Sequence, residues 1–179
     1  LANFAIQNYY NDLWNEPDRY RIFFRRVLKL TAKLISKWQA VGFVHGVMNT
    51  DNMTITGTTF DYGPYGFMDD FNIDYTSNSS DVHRRYSFQQ QAEIGFWNLN
   101  KLAATLVPLV GSGPLQEEIK QYQSLFNRFY REEMGRKLGI SILDADFSEL
   151  TQEMFQFLFK NKLDYTNFFR LLANFPEQM

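Results

Sequence analysis

Gly42-Phe43-Val44-His45-Gly46-Val47-Met48-Asn49-Thr50-Asp51-Asn52-Met53, with Asp61-Tyr62-Gly63-Pro64-Tyr65-Gly66 shortly downstream, is the stretch on which the reading of this chain turns. It crowds His45, Asp51, Asn52 and Asp61 into loop-like sequence. Upstream, Asn15-Glu16-Pro17-Asp18 has the form of a helix start, with Pro where a missing N–H costs nothing and acids in the first turn. Tyr20, Phe23, Val27, Leu30, Leu34 and Trp38 then recur at three- and four-residue steps, one face of a long helix that Gly42 ends. Downstream, Met53 to Phe60 carries β-forming residues on both sides of Gly57, which predicts a short hairpin. Two Gly and a Pro between Asp61 and Gly66 exclude regular structure there.

Residues 69–84, with Asp69, Asp70, Asn72, Asp74 and Asp81, read as a long polar loop, a kind that in compact domains is usually functional or mobile. The remainder is helical. Ile94 to Leu106 is amphipathic around Trp97, Leu99 and Leu102, and is interrupted by Pro108 and Gly111-Ser112-Gly113-Pro114. Leu115, Ile119, Tyr122, Phe126, Phe129 and Leu138 outline one further helix ending near Gly139. Phe147 to Lys160 and Asp164 to Phe175 supply two more, the last stopped by Pro176. The expected architecture is mainly α, a single domain over residues 1–179: a helical bundle with a short β-hairpin beside the loop.

Composition narrows the function. With 45% hydrophobic and 17% aromatic residues the chain buries a sizeable core and is not disordered. A net charge of −2 gives no electrostatic reason for a nucleic acid or anionic membrane partner. No apolar run approaches the roughly 20 residues that span a bilayer. The absence of cysteine excludes disulfides, thiolate catalysis and cysteine zinc sites, and makes the cytoplasm the simplest compartment, or the mitochondrion if the source is eukaryotic. The first residue is Leu1, and a piece of a longer protein is one expectation.

The loop residues suit phosphate chemistry. Magnesium bridging phosphate oxygens needs hard oxygen ligands, which an Asn amide and an Asp carboxylate provide. A second carboxylate can accept the proton of an attacking hydroxyl. Asn52 and Asp61 flank the expected hairpin, whose turn would bring them together, and Asp51 lies on the same short loop. Kinases order such residues as H-x-D-x-x-x-x-N followed by D-x-G. His45 and Asn52 keep that spacing and Asp61-Tyr62-Gly63 follows, but Val47 occupies the place of the base.

The whole string from Gly42 to Met53, the Asp61 to Asp69 segment, Ser80-Asp81, Arg85-Tyr86-Ser87-Phe88, Trp97-Asn98-Leu99 and Asp164-Tyr165-Thr166-Asn167-Phe168-Phe169-Arg170 closely resemble the selenoprotein O family, also called YdiU. The resemblance runs from Leu1-Ala2-Asn3-Phe4-Ala5-Ile6 nearly to the end. It implies a protein-kinase-like fold that moves AMP, not phosphate, from ATP to hydroxyl side chains of proteins. On that resemblance Asp51 is the proton acceptor, Asn52 a magnesium ligand, and Asp61 a magnesium ligand that also contacts the nucleotide. The chain then corresponds to the helical C-lobe, without the family's nucleotide-gripping N-lobe and C-terminal redox residue, and is not expected to be active alone. Arg84 stands where the family usually has Gly, and Ser79 where it usually has His.

The other polar residues have quieter readings. His45, at a helix-to-loop junction, is expected to orient neighbours by hydrogen bonding. Arg85 either meets phosphate, which guanidinium geometry favours, or ties its loop to Asp81. Asp69 and Asp70 are solvated loop charges or contacts to substrate or a second metal. His83 has no metal-ligand spacing to His45. Two other activities are compatible in part: small-molecule phosphotransfer, which Val47 opposes, and a catalytically inactive scaffold for a protein partner, which Val47 favours.

Overall fold

The structure, a computed structural model, describes residues 1–174. Helix α1 (Ala2–Tyr9) and a 3-10 turn (Asn11–Leu13) precede the long helix α2 (Arg19–Val41). The expected stripe on α2 is its buried face: Phe23, Phe24, Val27, Leu28, Ala32, Ile35 and Trp38 all lie in the main core. Gly42 adopts φ 70 and ends the helix where its sequence position requires. Strands β1 (Phe43–Val44) and β2 (Gly66–Phe67) pair antiparallel, with Phe43 opposite Phe67 and Val44 opposite Gly66. The rest is helical: α3 (Gln91–Val110), α4 (Ser112–Ile119), α5 (Tyr122–Leu138), α6 (Ala145–Asn161) and α7 (Tyr165–Ala173). Helix α2 packs against α5, α3 and α4, so it is the axle of the molecule.

A second core lies beneath β1, where Val44, Met68, Phe71 and Phe88 meet Phe147, Leu158, Tyr165 and Phe169 of the last two helices. Its centre is a stack in which Phe71 lies 5.0 Å from Phe155 and 5.8 Å from the buried Tyr165. The Tyr165 hydroxyl donates to the Ala40 carbonyl at 3.0 Å, and Lys137 Nζ donates to the same oxygen at 2.6 Å. Together they satisfy this one orphan acceptor at the end of α2.

Four expectations are corrected. The two-stranded antiparallel sheet beside the loop exists, but its strands bracket residues 45–65; Met53–Phe60 forms no ladder. There the Thr54 hydroxyl accepts from Thr58 N at 3.1 Å and lies 2.9 Å from Thr58 O, so a side chain replaces the cross-strand pairing. Helix α3 runs through Pro108 to Val110, since a proline in the last turn removes one bond while buried Leu106 holds the turn down. The helix expected from Leu115 to Leu138 is two, α4 and α5, jointed at Lys120–Gln121. At the joint, buried Glu118 turns inward to Arg25 (2.6 Å) and Arg21 (2.7 Å) of α2; the hydrogen bond from Arg25, and after it that from Arg21, holds its carboxyl below the usual range. Gly66, placed in irregular sequence, instead begins β2. The expected stop at Phe175–Pro176 lies outside the described residues; α7 is described to Ala173.

Residues 69–84 form the expected loop, made of turns and bends without a helix. Its start is anchored: Phe71 N donates to Leu163 O at 3.0 Å, Tyr165 N to Asp69 O at 2.7 Å, and Asp70 bridges to Asp164. Asp69 and Asp70 are therefore tied by their backbones to the α6–α7 junction, with exposed side chains. Among the described residues no helix is long and apolar enough to cross a membrane.

Candidate active site

The loop after β1 is built from the backbone outward. Residues 43–48 are buried except for half-buried Val47, so their polar backbone atoms need partners. Gln91, fully buried at the start of α3, accepts from His45 N at 3.0 Å and donates to Phe43 O at 2.9 Å. Asn98, seven residues along the same helix and so on nearly the same face, donates to Met48 O at 2.9 Å. Asn78 of the long loop donates to Gly46 O at 3.1 Å, and Ser77 Oγ reaches Val44 O at 3.3 Å. Gly46 itself sits at φ 80, and a Cβ there would come 2.6 Å from Ser77 Oγ and 2.7 Å from Pro64 O. Only glycine lets the chain pass.

His45 joins the two halves of the quoted sequence. It is buried, 5.3 Å from the Trp38 ring, and its Nε2 lies 2.8 Å from Phe60 O, the residue before Asp61. Val47 N donates to its Nδ1 at 3.4 Å, which makes Nε2 the protonated nitrogen. Trp38 Nε1 donates to Thr59 Oγ1 at 2.9 Å, a second tether on the same segment. The turn expected to bring Asp61 back toward the loop is thus replaced by a histidine and a tryptophan from beneath it.

The acids sit on top. Thr50–Asn52 is a single 3-10 turn. Asp51 is exposed, and Asn52 is half-buried with its Nδ2 donating to Val47 O at 3.1 Å, which fixes the amide and leaves its Oδ1 as acceptor. Asp61 is exposed at φ 57, a left-handed conformation uncommon outside glycine, with Gly63 N donating to its carbonyl at 2.8 Å. Among the described residues neither Asp51 nor Asp61 has an ion pair. Tyr62, Tyr65 and Phe67 form an exposed aromatic cluster around Phe43 beside Asp61.

Arg85 does not pair with Asp81. The Asp81 carboxylate instead accepts backbone N–H groups, from Arg85 at 2.9 Å and Tyr86 at 2.7 Å, because the turn brings amides, not the guanidinium, to its oxygens. The Arg85 guanidinium lies 4.9 Å from the Trp97 ring. The Tyr86 hydroxyl donates to Asn49 Oδ1 on the loop. Arg84 adopts φ 53, a left-handed backbone conformation that favours glycine over a residue with a side chain. His83 is exposed.

Gln91, Asn98 and Asn78 were not singled out as site residues in the sequence. The available signal was two amides at i and i+7 on the apolar stripe of α3, among Ile94, Leu99 and Leu106. Buried amides on such a stripe need partners, and a loop packed against it supplies them.

A mainly helical domain thus holds a His45–Asn52 loop and an Asp61-Tyr62-Gly63 turn between the two strands of a small sheet. The family model described as protein adenylyltransferase SelO matches residues 1–179, and the chain belongs to that family. It is 44% identical over 174 residues to the protein nucleotidyltransferase YdiU of Aliivibrio salmonicida (strain LFI1238), covering 97% of this chain and 36% of that relative. The chain therefore spans about a third of the length of the curated relative it matches.

Proposed function

We propose that the longer protein represented by this chain is a magnesium-dependent protein adenylyltransferase, and that this chain is its helical, protein-kinase-like C-lobe portion. The observation that carries the reading is a division of labour within one loop. The polar backbone from Phe43 to Met48 is tied down by Gln91, Asn98 and Asn78, whereas Asp51, Asp61 and the Asn52 amide oxygen are left uncommitted above it. A family relative named a nucleotidyltransferase is consistent with AMP as the group moved.

In this reading a Ser, Thr or Tyr hydroxyl of a protein substrate attacks the α-phosphorus of ATP. The new oxygen–phosphorus bond forms as the bond to the bridging oxygen of the β-phosphate breaks, and pyrophosphate leaves. Asp51, solvent-facing and unpaired, takes the hydroxyl proton. Asn52 and Asp61 would hold magnesium. Among the described residues no group of three or more His, Cys, Asp or Glu could hold a metal by itself. Two hard oxygen donors suit a magnesium ion that takes its other ligands from phosphates and water. Such an ion neutralises phosphate charge when bound. Asp61 would also face the nucleotide, while His45, Nε2 on Phe60 O, keeps its turn in place. Nucleotide-gripping residues would lie in the remaining length seen in the relative, so the isolated chain is expected to be inactive.

The test uses the full-length protein with ATP labelled on the α- or the γ-phosphate. Label reaches protein from the α position alone; transfer from γ alone overturns AMP transfer. Asp61→Ala abolishes the labelling, and undiminished labelling removes Asp61 from the site. Val47, in place of a carboxylate, favours one second reading, an inactive scaffold. Calorimetry with MgATP separates the two, since a scaffold gives no binding heat.

A further inference from the structure

Two cations beside the loop meet no acid among the described residues. Arg85 and Lys101 are exposed, and neither has an ion pair among the described residues. Both are held against one indole: the Arg85 guanidinium lies 4.9 Å and Lys101 Nζ 4.8 Å from the ring of Trp97, itself 39% exposed. A cation on an aromatic face keeps its charge and part of its hydration, so it remains available to an incoming anion. Asp81, the acid nearest Arg85 in sequence, has both oxygens engaged by backbone N–H groups. In a chain of net charge −2, two uncompensated cations on one ring are a local departure.

The platform is joined to the site. Tyr86, next to Arg85, is fixed through Asp81 and reaches Asn49, which directly precedes Thr50 and Asp51. Lys101 stands at the rim of a cleft of about 320 Å³ whose wall includes Thr50, Met53, Ile55, Leu99 and Thr105. The cleft thus starts at the Asp51 turn, has a largely apolar floor, and carries a cation at its edge.

We propose that Arg85, Lys101 and Trp97, with the adjoining cleft, are the docking site for an acidic segment of the protein substrate, which places an Asp or Glu of the segment on the cations and an apolar side chain in the cleft. This rests on the reading that the substrate is a protein. The surface then selects which hydroxyls reach Asp51, and Arg85 and Lys101 act on peptide affinity and not on the transfer step.

The experiment uses the full-length protein and fluorescent hydroxyl-bearing peptides identical except for Glu, Ala or Lys at the positions flanking the acceptor. Binding is read by anisotropy without ATP, and AMP transfer is read separately with α-labelled ATP. Wild type binds Glu peptides about tenfold more tightly than Ala peptides at low salt, from two exposed charge contacts. Arg85→Glu/Lys101→Glu reverses the preference toward Lys peptides, which also shows that the variant folds. In transfer assays Arg85→Ala/Lys101→Ala raises KM for the Glu peptide while kcat and the KM for ATP hold. Charge-independent binding in wild type, no peptide binding at all, or a preference that survives charge reversal each overturns the proposal. So does a raised KM for ATP with unchanged peptide affinity, which would assign the cations to the nucleotide. Charge-selective binding without any AMP transfer supports the docking site while refuting the adenylyltransferase reading, so the two failures are separable.

Discussion

Residues 43–48 and residues 50–61 are adjacent in sequence and opposite in physical character. The first segment is buried, and its amides and carbonyls are met by Gln91, Asn98, Asn78 and Ser77 from two other parts of the chain. The second is half-buried to exposed, held by its own threonines and by tethers from Tyr10, His45 and Trp38, and among the described residues its carboxylates have no ion pair. A rigid base under an uncommitted rim is what chemistry on an external substrate requires. The base fixes where the acids stand, and the rim leaves them free to bind. Where the lower segment would lose stability on mutation, the upper one should lose function.

The largest stability effect is therefore expected beneath the loop. Gln91→Leu leaves His45 N–H and Phe43 C=O buried and unpaired, at a cost of about 3 kcal/mol. Urea denaturation measures it, and a loss near zero would break the contrast between the two segments. A smaller effect of opposite sign is expected at Arg84. At φ 53 a side chain is strained, and the Arg84–Asp74 pair at 3.9 Å is too exposed and long to compensate. Arg84→Gly should raise stability by about 0.5 kcal/mol, read as a higher Tm.

A third effect, which emerges only at alkaline pH, concerns the entry to the loop, where Lys137 closes the end of α2. Burial pushes its ammonium down to about 8 from an ordinary 10.5, although it also lies 3.5 Å from the Phe169 ring. The folded chain then releases this proton before the unfolded chain does. Between about pH 8 and 10.5 the unfolded state binds more protons, so this group's contribution to stability rises with pH across that window and is flat below it. Lys137→Met removes the slope. The difference in stability between wild type and variant, measured by denaturation from about pH 7 to about pH 10, should grow in favour of wild type.

Much of this was legible in the sequence because it depends on local pattern. The α2 stripe, the Gly42 stop, the long loop and the mainly helical course follow from periodicity and punctuation. The strand pairing was not, because Phe43–Val44 and Gly66–Phe67 are each two residues long and are matched by the loop they enclose, not by β propensity. Met53–Phe60 does carry β-forming residues on both sides of Gly57, but Thr54 and the tethers from Trp38 and His45 consume the bonds a hairpin would make. The grip of Gln91 and Asn98 was hidden for a related reason: an amide on a buried stripe announces a need for partners without saying which backbone supplies them. Arg85 illustrates the limit of charge pairing by proximity, since Asp81 is drawn to the main-chain N–H groups of Arg85 and Tyr86 and not to the guanidinium.

Asp51 is the exposed acid on the rim, and in the proposed function it serves where Val47 offers no carboxylate. The direct measurement is AMP transfer from α-labelled ATP by full-length protein carrying Asp51→Asn, with MgATP affinity measured by calorimetry in the same preparation. Loss of transfer by about a hundredfold or more, with nucleotide affinity held, is the predicted result. Transfer at the wild-type rate would contradict it and move the base elsewhere.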